Sequence, residues 1–112
     1  MRTAPLRRLA LVLLLTGLAG LAQAADPEAA LVIRNHRFEP AELKLPAGQR
    51  VRLQIDNQDK TAEEFESKAL KREKVVPPGA KVTLLVGPLK PGRYEFYGEY
   101  HEDSAKGVVI VE

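Results

Sequence analysis

What most constrains this chain is its punctuation. From residue 31 onward, short apolar stretches are separated by turn signals about every eight to twelve residues. These are Phe38-Glu39-Pro40, Pro46-Ala47-Gly48, residues 57–60, Pro77-Pro78-Gly79 and Lys90-Pro91-Gly92. Strands fit between such breaks better than helices do. Residues 50–56 alternate, with Val51, Leu53 and Ile55 on one face and Arg50, Arg52, Gln54 and Asp56 on the other. That is the period of a half-buried strand. Residues 81–86 repeat it with Val82, Leu84 and Val86 inward, and 93–97 place Tyr94 and Phe96 on one face. Further strands are expected at 31–33, at 41–45 and at 108–111. Residues 61–74 contain good helix formers, but Phe65, Ala69 and Leu70 make no sustained apolar stripe. A short strand at 65–67 followed by a loop or short turn is expected there, with Val75-Val76 as an apolar edge. The reading is an all-β sandwich of about seven short strands in a single domain.

Residues 1–24 read as a cleaved signal peptide. Arg2, Arg7 and Arg8 form a basic start, an apolar run follows from 9 to 21, and Ala22-Gln23-Ala24 fits the cleavage pattern. The apolar run falls short of the roughly 20 residues a spanning helix needs. No membrane span is expected after cleavage, and residues 25–112 form the expected domain. The signal carries three of the 17 Lys and Arg and none of the 15 Asp and Glu. Removing it leaves 14 basic residues against 15 acidic ones, a net charge of −1. The basicity of the whole chain therefore gives no support for nucleic-acid binding.

The chain has no Cys, and its one Met is Met1. Disulfides, thiolate-bound zinc and a type 1 copper site are excluded by composition. Ligands must then be oxygen or nitrogen, and two segments concentrate them. In Glu63-Glu64-Phe65-Glu66, strand geometry puts Glu64 and Glu66 on one face and Phe65 on the other. Two carboxylates on one face repel unless the face is well solvated or a cation sits between them. Glu99-Tyr100-His101-Glu102-Asp103 is the second segment, in a polar loop after the 93–97 strand. His36 lies in the first turn and is an outside candidate for the same end of the sandwich. The competing reading of each is a solvated acidic loop and an exposed turn histidine. Residues 71–74 are a basic run that reads as a solvated loop. Ser67 and Ser104 are the only serines, and neither sits in a nucleophile motif.

The ordered set F-x-P, P-A-G-x-x-V, an Asn-led loop, V-x-P-G, P-G-x-Y-x-F-Y, a His loop and K-G-x-x-x-V resembles the cupredoxin-like family. Here it runs through Phe38-Glu39-Pro40, Pro46-Ala47-Gly48, Asn57, Val76 to Gly79, Pro91 to Tyr97, His101 and Lys106 to Val111. The resemblance implies a Greek-key sandwich. Copper-binding members have a Cys where this chain has Gly98 and a later His at His101. Their first His falls at about Glu64, and their axial Met has no counterpart. The departure resembles EfeO-type and FtrB-type periplasmic proteins, in which an acid–aromatic–acid motif like Glu64-Phe65-Glu66 replaces the first His. That resemblance implies a periplasmic protein handling iron, or copper, for a ferrous-iron uptake system. Its partner would be an inner-membrane iron permease or another periplasmic uptake component. Glu64, Glu66 and His101 would bind the transition-metal ion, with Glu99 or Glu102 completing the site and His36 beside it. A ferroxidase accessory role stays open, as does a metal-free interaction module that keeps the sandwich alone.

Overall fold

A computed structural model describes residues 25–112; the expected signal segment lies outside the described residues. Nine strands form two sheets: β1 (Glu28–Arg34), β2 (Arg37–Glu39), β3 (Glu42–Leu45), β4 (Val51–Asn57), β5 (Glu63–Ser67), β6 (Arg72–Val76), β7 (Lys81–Val86), β8 (Gly92–Gly98) and β9 (Lys106–Val111). One sheet has the order β2-β1-β4-β7 and the other β3-β9-β8-β5-β6. The pairs β1–β4 and β3–β9 are parallel, and the remaining pairs are antiparallel. The chain crosses between the sheets at β2–β3, β3–β4, β4–β5, β6–β7 and β7–β8, while β1–β2, β5–β6 and β8–β9 each stay within one sheet.

Alternation decides which residues fill the space between the sheets. In β4, Val51, Leu53 and Ile55 are buried while Arg52 and Gln54 are exposed. Leu43 and Leu45 of β3 and Val109 and Val111 of β9 are buried from the opposite sheet. Three aromatic rings knit the layers at one end. Phe38 meets Phe96 edge-on at 5.0 Å and Phe65 at 6.1 Å, and Phe65 and Phe96 lie 5.2 Å apart. Pairs in such edge-to-face geometry contribute about 0.5–1.5 kcal/mol beyond the area they bury.

The all-β sandwich is as expected, with nine strands where about seven were expected. The three-residue β2 completes a hairpin with β1. The loop or short turn expected after residue 67 is a tight turn, and it leads into β6, which pairs with β5 along its whole length. Arg72, Glu73, Lys74 and Val75 are all exposed. As an edge strand with no buried face over those four residues, β6 leaves no alternating signal to read.

Candidate metal centre

One end of the sandwich is built from three connections. The first is the β1–β2 turn, where Asn35 and His36 both take left-handed φ values of 53° and 57°. Two consecutive positive φ values are the requirement of a type I′ hairpin turn. The second is the β4–β5 loop, and the third is the 3-10 turn Glu99–His101 after β8. Asn57 holds the second in place. Fully buried, its Nδ2 donates to the carbonyls of Thr61, Val76 and Pro77 at 2.9, 3.1 and 3.2 Å. Its Oδ1 accepts the Asp59 N–H at 3.0 Å. Asp59 thereby reaches the β1–β2 turn, where its carboxylate accepts the N–H groups of Asn35 and His36 at 2.8 and 2.9 Å. Burial pushes the Asp59 carboxyl up, but these two bonds, together with the fields of His36 and His101, outweigh it and hold it below its ordinary range.

The residue that organises this end is Glu63, which is 1% exposed. Its Oε1 accepts the N–H of Glu64 at 3.0 Å and of Tyr100 at 2.9 Å. Its Oε2 lies 2.6 Å from Nδ1 of His101. The His101 ring stacks on His36 with centroids 3.7 Å apart and planes 15° apart. Ser104 Oγ donates to the His36 carbonyl at 2.6 Å and closes the ring of contacts. Glu63 also explains Gly98. A Cβ at position 98 would lie 2.5 Å from Cδ of Glu63 and 2.7 Å from Cβ of Ala105. No side chain fits at Gly98 while the Glu63 carboxylate points there.

The opposite face of β5 carries a second cluster. Glu64 and Glu66 point outward, and one ligand oxygen from each of Glu64, Glu66 and Glu99 lies within 4.8 Å of the others. Glu73 of β6 and Tyr97 of β8 stand directly beside Glu66 in register. A hydrogen bond shared with Glu99, then burial, then the charges of Glu99, Glu73 and Glu66 push the Glu64 carboxyl up to about 7. Burial, then a hydrogen bond with Glu73, then the Glu73 and Glu99 charges raise Glu66 as well. Oε2 of Glu66 is buried and has no hydrogen-bond partner. Burial, followed by the surrounding glutamates including Glu102, raises the Tyr97 phenol.

The residues expected to share one site therefore divide between two. Glu64, Glu66 and Glu99 come together on the outer face. His101 and His36 come together at the sandwich end, with His101 committed to Glu63 rather than to Glu64 or Glu66. Glu102 stands near Tyr97 but outside the three-carboxylate cluster. The split follows from strand period: Glu63 and Glu64 are neighbours in sequence and so point to opposite sides of the sheet.

Comparison with known proteins decides the family. Residues 7–111 match the cupredoxin-like domain family. The chain belongs to that family. An uncharacterised protein of Rickettsia prowazekii is 44% identical over 84 residues, covering 75% of this chain and 67% of that protein. Among solved structures, auracyanin A, a blue copper protein of Chloroflexus aurantiacus, superposes with a TM-score of 0.67 at 13% identity, covering 79% of this chain and all of that one. The metal-binding domain of the Cu(I)-exporting P-type ATPase CopA of Streptococcus pneumoniae gives 0.66 at 14% identity, over 81% of this chain and 91% of that domain. These likenesses establish a shared fold.

This cupredoxin-like domain does not fit a thiolate–copper centre. It has no Cys and no internal Met, and Glu63 fills the space above Gly98. The sequence reading named Glu63 only as part of an acidic segment and Asn57 only as the start of a loop, without these roles, and passed over Asp59. A signal for Glu63 was present, since it shares the period-two face of Phe65 and Ser67, but the strand was expected to start two residues later. Among the described residues no helix is long and apolar enough to cross a membrane.

Proposed function

We propose that this cupredoxin-like domain is a periplasmic binder of a transition-metal ion, with Glu64, Glu66 and Glu99 as the ligands. The observation that carries the reading is the outer-face cluster, where three carboxylates crowd together and Glu66 Oε2 has no partner. Three oxygens around one ion at about 2.1 Å stand roughly 3 Å apart or more, so small side-chain movements would close this set on a cation. A cation would also take the place of the proton that Glu64, raised to about 7 by its hydrogen bond with Glu99, by burial and by the neighbouring carboxylate charges, otherwise holds. All-oxygen ligation suits iron or manganese, and Cu(II) would also bind on the Irving–Williams order. Iron is then cargo, carried for a ferrous-iron uptake system and passed to an inner-membrane permease. Support for that pathway is the resemblance of Glu64-Phe65-Glu66 to the acid–aromatic–acid motif.

Calorimetry with Fe(II) under anaerobic conditions, with Fe(III) and with Mn(II) tests the site. Binding is expected in the wild type and lost in the Glu64→Gln/Glu66→Gln variant. No affinity tighter than about 1 mM for any of them would overturn the reading. Oxygen uptake on adding Fe(II), with and without Cu(II), tests a ferroxidase role. A second reading, a metal-free interaction module, is favoured by the closed end at Gly98. It predicts that the same double variant keeps its partner and gains stability from relieved repulsion.

A further inference from the structure

We infer that Glu63 is a positioning residue for the three-carboxylate cluster: buried on the other side of β5, it sets the gap between Glu64 and Glu99 through their backbones. The inference rests on the reading of Glu64, Glu66 and Glu99 as ligands, and adds what holds them in place. The cluster draws on two elements, Glu64 and Glu66 from β5 and Glu99 from the 3-10 turn after β8. The ladder between β5 and β8 pairs Phe65 with Gly98 and Glu66 with Tyr97. Glu64 still pairs with Val75 of β6, but Glu99 lies beyond both ladders of β8.

Glu63 takes over where those ladders stop. Its Oε1 accepts the N–H of Glu64 at 3.0 Å and the N–H of Tyr100 at 2.9 Å. The first N–H belongs to the peptide that enters Glu64, and the second to the peptide that leaves Glu99. Peptide units are planar, so one oxygen orients the backbones of both ligands relative to each other. The bond to Tyr100 also caps the turn. Gly98 has no side chain to accept the early N–H groups of the turn, and Glu63 supplies the acceptor from the neighbouring strand. Its Oε2 lies 2.6 Å from Nδ1 of His101 and ties down the other end of the turn. Bonds to a carboxylate are about twice as strong as neutral ones. Glu63 is 1% exposed, so water does not compete for them. The brace opposes a definite force: three carboxylates with oxygens within 4.8 Å of one another push the turn away from β5.

Two substitutions separate position from charge. Glu63→Gln keeps the length of the side chain and the Oε1 acceptor. Glu63→Asp keeps the charge and falls one methylene short. The test is calorimetry of wild type and both variants with Fe(II), Fe(III) and Mn(II). Glu63→Gln should stay within about fivefold of wild-type affinity. Glu63→Asp should weaken it about 10–100-fold, the usual effect of losing a group that orients a ligand. In a Glu99→Gln background, where the positioned ligand is already gone, Glu63→Asp should add no more than about twofold. Amide exchange at Tyr100 should quicken in Glu63→Asp while the rest of the spectrum stays native. Wild-type affinity in Glu63→Asp, the same loss with and without Glu99, or a loss of about tenfold or more in Glu63→Gln would overturn this inference alone. The last of these decides even if Glu63→Asp does not fold. A wild type that takes up none of the three ions overturns the ligand reading, and this inference with it.

Discussion

At the scale of the residue, Gly98 and Glu63 are a coupled pair. Each explains the other: the carboxylate needs the space a side chain would take, and the glycine supplies it. Gly98→Ala should destabilise the fold by about 1–3 kcal/mol, the usual cost of forcing atoms into a filled site. The cost should shrink when Glu63→Ala is added, so the two changes will not sum. Chemical denaturation of the two single variants and the double variant measures this; additive losses would show that the contact is not the cause. Glu63 itself was hidden in the sequence because an acid at an inward position breaks the pattern by which inward positions are recognised. Its three donors make burial tolerable, and two of them are backbone N–H groups that no side-chain pattern displays.

At the scale of the element, the alternating strands were legible and the unpatterned ones were not. Residues 50–56 show their buried face directly, and β4 occupies Val51–Asn57. Leu43, Leu45, Tyr94 and Phe96 likewise fall on the faces their spacing predicts. Of β6, only Val75-Val76 reads as an apolar edge, and residues 72–74 read as a solvated loop because four of the five residues of the strand face water. The β4–β5 loop depends on Asn57, whose amide satisfies three carbonyls and one N–H. Asn57→Ala leaves those groups without a partner in a buried setting. A loss of about 2–4 kcal/mol is expected, above that of an ordinary hydrogen bond. Because Asp59 follows in the same loop, the variant should also loosen the Asn35–His36 turn. Faster amide exchange at Asn35 and His36 is the measurement; unchanged exchange there would separate loop from turn.

At the scale of the whole molecule, two carboxyl groups pull stability in opposite directions with pH. Glu64 is raised from 4.5 to about 7 in the folded protein. Between those values the folded state holds a proton the unfolded chain has released, so stability falls as pH rises through that window. Asp59 is lowered from 3.8, and its contribution is present above that value and lost as pH falls through its folded one. The metal-free protein should therefore be most stable in mildly acid solution. Thermal unfolding between pH 4 and 8 checks this, and Glu64→Gln should flatten the upper limb. An ion bound to the outer face replaces the proton, and should recover the stability lost at the alkaline end.

β9 is the strand nearest the C-terminus of this sequence, yet it lies inside its sheet, between β3 and β8. Until Lys106–Val111 has left the ribosome, β3 has no partner and β8 lacks one side of its ladder. The nascent chain cannot close its sandwich early. Sheets completed by pairing of distant segments form slowly. The sheet that carries Glu63, Glu64 and Glu66 is thus completed by a strand that joins it from more than sixty residues away from β3.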